Sequence, residues 1–180
     1  MIGSTSGGRT GDGPATAEAL ITRLGLKPLE FEGGWYAETW RSADTLAADA
    51  LPARYGAARA AGTAIYYLLT PETVSRLHRL TTDELFHFYA GDPVEMLRLA
   101  PGGSGEVVTL GADILDGESP QVVVPRGTWQ GCRLRPGGRY ALLGCTVAPG
   151  FEVADFAAGA RTELVAGWPA WRDEIERLTP

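Results

Sequence analysis

The sequence predicts an all-β protein whose antiparallel strands form a sandwich or barrel with a short helix at each end. From Gly62 onward, short runs rich in Val, Leu, Tyr and Phe recur at intervals of about 8–12 residues, the spacing typical of antiparallel sandwiches and barrels. Gly and Pro turns separate these runs. A parallel sheet would need helical crossovers between the strands, and the sequence leaves no room for them.

The predicted strands lie between Gly62 and Val147. Seven runs carry the pattern, and they are GTAIYYLLT, ELFHFYAG, PVEMLRLA, EVVTLG, QVVVPRG, WQGCRLR and RYALLGCTVAPG. Upstream, the Gly33-Gly34 turn lies within an aromatic-rich strand segment, residues 31–41. The Ala-rich residues 42–61 are expected to form a loop with one helical turn.

Helical spacing of apolar residues appears near both ends of the chain. Residues 15–25 form a predicted amphipathic helix that ends at Gly25, and residues 168–178 form a second one. Residues 1–14, rich in Gly, Ser and Thr, are expected to be a disordered lead-in without the apolar stretch of a secretory signal. We therefore expect one domain, residues 15–180.

Composition and charge exclude several classes of function. The formal net charge of −6 argues against a nucleic-acid surface, which needs clustered positive charge. No apolar run approaches the roughly 20 residues that cross a bilayer, so we expect no membrane partner. The two cysteines, Cys132 and Cys145, lie in apolar strand-like runs and are expected to be buried free thiols of a cytoplasmic protein.

Both histidines of the chain fall in one segment, SRLHRLTTDELFHFYAGDP. His78 precedes Glu84, and Glu84 stands seven residues before Gly91. A second segment, VVVPRGTWQGCRL, places Gln130 five residues after Pro125. These segments resemble the two cupin signatures, Gly-x5-His-x-His-x(3,4)-Glu-x6-Gly and Pro-x-Gly-x-x-His. Arg76 and Gln130 occupy positions where the general pattern has histidine.

Several further segments resemble one cupin subfamily, often labelled "cupin five". They are EGGWYAETWRS, TAIYYLLT, VPRGTWQG and GCTVAPGFEVADF, and the resemblance extends over about residues 15–180. It implies a double-stranded β-helix, or jelly-roll barrel, similar in fold to deoxysugar epimerases. It also implies a homodimer that binds a small polar molecule in its barrel.

The same residues suggest acid–base catalysis on a carbonyl or sugar-like metabolite, as in an isomerase or epimerase. A histidine such as His78 can remove a proton from carbon beside a carbonyl group. Glu84 would fix the histidine tautomer, Tyr66 would protonate the opposite face, and Gln130 would hold the substrate oxygen. His87 is expected to point away from Glu84, because side chains alternate along a strand.

Other residues are candidates for substrate binding. Arg79 and Arg126 could each hold an anionic group, since guanidinium matches carboxylate and phosphate, although surface ion pairs explain them equally well. Trp35 could provide an aromatic surface for a sugar, although aromatic residues on strands more often belong to the core.

Two alternatives stay open. In a metal-dependent cupin enzyme, such as a dioxygenase or decarboxylase, His78, Glu84 and Gln130 would ligate Fe, Mn, Ni or Zn. A single imidazole is a weak donor set for such a metal, so we expect no cofactor. In a sensor or carrier the same pocket would bind without catalysis. Against any site, His78 could merely cap a loop and hydrogen-bond Asp83.

Overall fold

Two antiparallel sheets face each other in the computed structural model, which describes residues 16–180. The strands of these residues are, in chain order, β1 (Lys27–Pro28), β2 (Trp35–Arg41), β3 (Thr45–Leu46), β4 (Arg59–Ala60), β5 (Thr63–Leu69), β6 (Val74–Leu80), β7 (Glu84–Gly91), β8 (Val94–Leu99), β9 (Gly105–Leu110), β10 (Gln121–Val124), β11 (Trp129–Leu134), β12 (Ala141–Val147) and β13 (Phe156–Ala158). One sheet has the order β1-β2-β5-β12-β7-β10, and the other has the order β13-β6-β11-β8-β9. Strands β3 and β4 pair separately. The predicted all-β fold of two antiparallel sheets is confirmed.

Short helices flank the sheets. Helix α1 (Ala17–Leu24) begins at Thr16, whose hydroxyl accepts a hydrogen bond from the Ala19 amide, and ends at Gly25 in a left-handed conformation. Helices α2 (Arg161–Gly167) and α3 (Arg172–Arg177) follow β13. Single 3₁₀ turns occupy Ala48–Ala50, Ala53–Tyr55, Ile114–Asp116, Val153–Asp155 and Pro169–Trp171.

Both predicted helices are present with shorter bounds, and several elements were not predicted. Helix α2 and strand β13 have no counterpart in the sequence analysis. Residues 42–61 contain the β3–β4 pair in addition to two 3₁₀ turns. The predicted lead-in, residues 1–14, lies outside the described residues.

The most consequential omission is β6, which carries His78. Its sequence, VSRLHRL, contains two arginines and lacks a clean alternation of polar and apolar residues. The reason is a β-bulge in β6. Gln130 of β11 pairs with His78, and Cys132 of β11 pairs with Ser75. Two residues of β11 therefore span three residues of β6, so β6 contains one extra residue. The bulge breaks the two-residue period by which a strand is recognised from sequence.

The two sheets share an apolar core. Tyr67 and Phe86 of the six-stranded sheet pack with Met96 and Cys132 of the five-stranded sheet. A second cluster covers the outer face of the five-stranded sheet, where Leu77 and other strand residues pack against α2 and α3. Cys132 and Cys145 are buried free thiols, as predicted, and burial raises the pKa of both.

A buried ion pair connects strand β4 to the 3₁₀ turn before β13. Arg59 Nη2 lies 3.1 Å from Asp155 Oδ1, and both side chains are almost completely buried. Arg59 also donates to the Tyr55 carbonyl, while Asp155 accepts from Thr81 and from the Glu152 amide. These contacts fix the loops at one end of the barrel.

Within residues 16–180, none of the helices combines the length and the apolar character that crossing a membrane requires.

Candidate functional site

A cavity of about 210 Å³ opens at one end of the barrel, between the two sheets. The strand register explains why polar residues meet there: Val147 pairs with Glu84 and with Thr63, and Thr63 pairs with Arg41. These four positions form a row across the six-stranded sheet. The cavity is lined by Leu29, Phe31, Glu32, Tyr36, Glu38, Arg41, Thr63, Ile65, His78, Leu80, Glu84, Cys145, Val147, Phe151, Glu152 and Val153.

The bulge in β6 directs His78 toward this cavity. Ser75 and His78 are both almost completely buried, although side chains three residues apart in a regular strand point to opposite faces. The bulge brings the backbone of β6 close to β11 at Gly131, where a Cβ atom would lie 2.9 Å from the Ser75 carbonyl oxygen. Glycine at position 131 therefore permits the bulge that orients His78.

The His78 imidazole is held in one tautomer by the backbone. Its Nδ1 lies 2.7 Å from the Arg76 carbonyl oxygen. Because a carbonyl can only accept, Nδ1 carries the hydrogen of the neutral ring and Nε2 keeps its lone pair. Phe156 stacks on the ring, with centroids 4.9 Å apart and an interplanar angle of 19°. The carbonyl of Arg76, not the predicted carboxylate of Glu84, thus fixes the tautomer.

Glu84 begins β7 and faces the same cavity. Its Oε2 accepts a 2.5 Å hydrogen bond from Gln130 Nε2 and lies 4.0 Å from His78 Nε2. Burial raises the pKa of Glu84 from its ordinary value near 4.5 to about 7. The His78 imidazole opposes the rise, and the nearby carboxylate of Glu32 adds to it. This carboxyl can therefore gain and lose a proton near neutral pH.

Glu32 is a site residue that the sequence analysis missed. Its Oε2 lies 3.9 Å from His78 Nε2, and its Oε1 accepts a 2.7 Å hydrogen bond from the Ser75 hydroxyl. The signal in the sequence is the glutamate directly before Gly33-Gly34. Gly33 has a φ of +107°, and a Cβ there would lie 2.2 Å from the Val74 carbonyl oxygen. The predicted turn thus carries a functional side chain into the barrel.

Gln130 lies behind the cavity wall rather than on it. Its side chain is buried, and its Nε2 contacts both Glu84 and, at 3.4 Å, His78 Nε2. Its Oε1 is buried without a hydrogen-bond partner among the described residues. Gln130 therefore positions His78 and Glu84. The sequence analysis expected its amide to hold a substrate oxygen, but the amide does not line the cavity.

The cavity mouth carries three further charges. Arg41 makes a two-pronged contact with Glu38 and a 3.0 Å ion pair with Glu152. All three side chains are substantially exposed. With Glu32 and Glu84 inside, four carboxyl groups and one guanidinium surround the opening, so its potential is predominantly negative.

Tyr66 does not line the cavity, and its predicted place there is wrong. On β5 the neighbours Ile65 and Tyr67 face the core, so Tyr66 points to the outer face of the sheet. There its ring meets Tyr89 edge-on, with centroids 6.1 Å apart. Trp35 is likewise excluded, because its neighbour Tyr36 takes the inward position on β2.

The remaining predicted residues also lie away from the cavity. Arg79 covers the Trp129 ring at 4.6 Å, on the outer face of β6. Arg79 and Arg126 both line a separate surface pocket. His87 points outward, as predicted, and contacts Thr146 and Gln121 at 3.3 Å each. None of these three lines the cavity beside His78.

The donor set does not match the metal-ligating alternative well. Among residues 16–180, no group of three or more His, Cys, Asp or Glu side chains is arranged to hold a metal ion. His78 Nε2 lies 3.9–4.0 Å from the carboxylate oxygens, whereas octahedral ligands at about 2.1 Å would bring their donor atoms about 3 Å apart. Gln130 Nε2, a hydrogen donor, faces both Nε2 of His78 and Glu84.

Comparison with known proteins identifies the family. The model of the family described as "Cupin superfamily (DUF985)" matches residues 18–159. The chain belongs to the cupin superfamily. The matched range includes Glu32, His78, Glu84 and Gln130.

Two solved structures and one yeast protein sequence are similar to this chain. Protein SO0799 from Shewanella oneidensis has a TM-score of 0.82 at 32% identity, covering 93% of this chain and 99% of that one. A hypothetical protein from Leishmania major has a TM-score of 0.82 at 33% identity, covering 92% and 99%. The uncharacterized protein YML079W of Saccharomyces cerevisiae is 30% identical over 134 residues, which are 69% of this chain. The match spans 66% of the yeast protein, slightly less than two thirds of its length.

Proposed function

We propose that this cupin binds a small polar carbonyl compound in its barrel and isomerises or epimerises it by general acid–base catalysis. One observation carries the proposal. The unprotonated Nε2 of His78 lies about 4 Å from two carboxyl groups, one of which has a pKa of about 7. The imidazole can act as the base and this carboxyl group as the acid, and proton transfer at carbon requires both.

The residues divide the work according to their contacts. His78 Nε2 takes the proton from the carbon beside the carbonyl, and the Arg76 carbonyl stabilises the resulting imidazolium through Nδ1. Glu84 in its neutral form donates a proton to the developing enolate or returns one to carbon. Gln130 holds the Glu84 carboxyl in place. Glu32, which accepts a hydrogen bond from Ser75, lies 3.9 Å from His78 Nε2, where its carboxylate would stabilise the imidazolium.

The charge of the cavity restricts the substrate class. Even when Glu84 is neutral, the carboxylates of Glu32, Glu38 and Glu152 outnumber the Arg41 guanidinium, so an anionic ligand would meet repulsion at the opening and inside. Carboxylates are good acceptors for hydroxyl groups. The cavity therefore favours a neutral, hydroxyl-rich carbonyl compound of sugar-like character.

A metal-dependent enzyme is the second candidate, and Glu32 is the observation that favours it. The second carboxylate beside His78 adds a donor that the sequence analysis had not counted. His78, Glu84 and Glu32 would be the ligands, and the metal would supply Lewis-acid chemistry. The donor atoms would have to move closer together and Gln130 would have to reorient.

Proton exchange tests the first candidate directly. Neutral aldoses and ketoses are incubated with the protein in D₂O, and ¹H NMR follows the loss of the signal at the carbon beside the carbonyl. We expect exchange with at least one compound. His78→Ala should slow it by about 100- to 10,000-fold while circular dichroism shows intact folding, because the general base is lost.

His87→Ala is the matched control, since His87 is the other histidine and points outward. His87→Ala should lower the free energy of unfolding but should have less effect on the rate of proton exchange. Chelator should leave exchange unchanged. Exchange that chelator abolishes and one divalent ion restores would establish the metal enzyme instead. Binding without any exchange would contradict catalysis and support a sensor or carrier.

Association and location complete the proposal. The segment containing β1 and β2 lies at the edge of the six-stranded sheet, where unpaired backbone groups remain, so we propose that two copies associate there as a homodimer. Two free thiols suit the reducing cytoplasm, where we propose that the protein acts.

A further inference from the structure

A second pocket, of about 350 Å³, lies on the surface beside the end of β6. Three arginines line it: Arg54 from a 3₁₀ turn, Arg79 from β6, and Arg126 from the turn between β10 and β11. We call it the arginine pocket. Three arginines thus line one surface pocket of a protein whose net charge is −6.

Two of the arginines are already held in place. Arg54 donates from Nε to the Thr81 carbonyl and lies over the Tyr55 ring at 4.7 Å. Arg79 lies over the Trp129 ring at 4.6 Å. Aromatic contacts of this kind fix a guanidinium plane while leaving most of its N–H groups available. The side-chain entropy that a ligand would otherwise have to restrict is therefore already reduced.

The three arginines lack acidic partners of their own. Among the described residues, none of them forms an ion pair with a carboxylate. Asp155 lines the pocket, but Arg59 neutralises it. The Asp83 carboxylate is nearby and accepts a hydrogen bond from the Arg126 amide. The pocket consequently keeps an excess of positive charge.

We propose that the arginine pocket binds the phosphate group of a small molecule. A phosphate dianion suits a pocket lined by three guanidinium groups, because guanidinium pairs with phosphate oxygens in charge and in hydrogen-bond geometry. The pocket also borders the barrel cavity, since Leu80 lines both and Phe156 both lines the pocket and stacks on His78. Under this proposal the acidic barrel cavity binds a neutral ligand, and the basic arginine pocket binds an anionic one.

Calorimetry with inorganic phosphate and pyrophosphate at low ionic strength tests this site. We expect saturable binding of one ion per chain, weakened by added salt because the arginines are exposed. Arg79→Gln, Arg126→Gln and Arg54→Gln should each weaken binding by about 10-fold, the value of one charged hydrogen bond. Arg172→Gln, which removes a charge from α3, should leave it unchanged.

Two further calorimetric measurements separate this site from the barrel cavity and test its preference for phosphate. His78→Ala should bind phosphate as the wild type does, so failure of the proposed catalysis leaves this result intact. Acetate should bind at least 10-fold more weakly than phosphate. Three results would overturn the proposal: no saturable phosphate binding, equal loss in the Arg172→Gln control, or acetate binding as tightly as phosphate.

Discussion

Glu84 is the residue whose environment most changes its chemistry. Its side chain is 10% exposed, hydrogen-bonded by Gln130 and close to the carboxylate of Glu32. In this setting the charged form is disfavoured, since burial removes hydration that one hydrogen bond does not replace. Tyr66, chosen from the sequence as the second catalytic group, is instead on the outer face, and Glu84 assumes its proposed role.

The raised pKa of Glu84 predicts a specific dependence of stability on pH. The folded protein binds this proton more tightly than the unfolded chain, so the contribution is favourable below about pH 4.5 and is lost as pH rises through about 7. The loss amounts to about 3 kcal/mol in the free energy of unfolding. Glu84→Gln should remove this slope, which urea unfolding at pH 5 to 8 would measure.

Glu106→Gln is the control, because Glu106 is an exposed glutamate on β9. It should keep the wild-type dependence on pH. If Glu84→Gln showed the same slope as the wild type, Glu84 would be an ordinary carboxylate and the acid in the proposed mechanism would be lost.

At the residue scale the sequence identified His78, Glu84 and Gln130 but could not decide which of them face a ligand. The motif resemblance brought these three together, and they do form one cluster. Which of two neighbouring side chains points inward depends on the strand register, and a one-residue error selected Tyr66 rather than Ile65. Glu32 was not predicted as a site residue, because a glutamate beside a turn is usually exposed to solvent.

At the scale of elements, the bulge in β6 decides whether His78 serves the cavity. The close approach of β6 to Gly131 leaves no room for a side chain. Strand β6 was not predicted, because an irregular strand has no regular period, while the strands with regular alternation were predicted well. The bulge is a long-range feature that depends on β11, which sequence patterns within β6 cannot reveal.

Gly131→Ala should destabilise the fold by about 1–3 kcal/mol and displace His78. The added methyl would lie 2.9 Å from the Ser75 carbonyl oxygen, so the strands must separate. Thermal unfolding would measure the loss, and His78 imidazole NMR signals would report the displacement. Gly167→Ala at the end of α2, where a Cβ meets nothing within 4 Å, should be neutral or slightly stabilising. Equal effects of the two substitutions would show that Gly131 has no special role.

The Arg59–Asp155 pair should be essential for the loops around the cavity. Arg59→Leu leaves the Asp155 carboxylate buried beside Thr81 without its cation, which should cost about 3–5 kcal/mol. Arg172→Leu, which breaks an exposed pair with Glu176, should cost less than about 1 kcal/mol. Chemical denaturation compares them, and similar small losses would show that the buried pair does not organise this end of the barrel.

At the scale of the whole molecule, periodicity and turn spacing were sufficient to predict two antiparallel sheets. These patterns could not predict the order in which the strands pair. In the six-stranded sheet β12 lies between β5 and β7, although it is distant from both in sequence. That order brings Val147 between Thr63 and Glu84 and so creates the polar end of the barrel. The site therefore depends on topology that no local pattern contains.

The proposed homodimer predicts a mass in solution of twice 19.1 kDa. Exposed aromatic side chains on the six-stranded sheet, Trp40 and Tyr89, are consistent with a surface that a second copy covers. Light scattering at micromolar concentration checks this, and a mass of a single chain would contradict it.

In the proposed mechanism, a proton-accepting His78 Nε2 faces a carboxyl group, Glu84, that titrates near neutral pH. With two histidines in the chain, long-range ¹H–¹⁵N NMR of the imidazoles in metal-free protein tests it most directly. We predict that His78 is the Nδ1–H tautomer at pH 8. Its imidazole chemical shifts should respond to the titration of the neighbouring Glu84 carboxyl group near pH 7, and this response should be absent in Glu84→Gln. An Nε2–H tautomer, or shifts that Glu84→Gln leaves unchanged, would contradict the account.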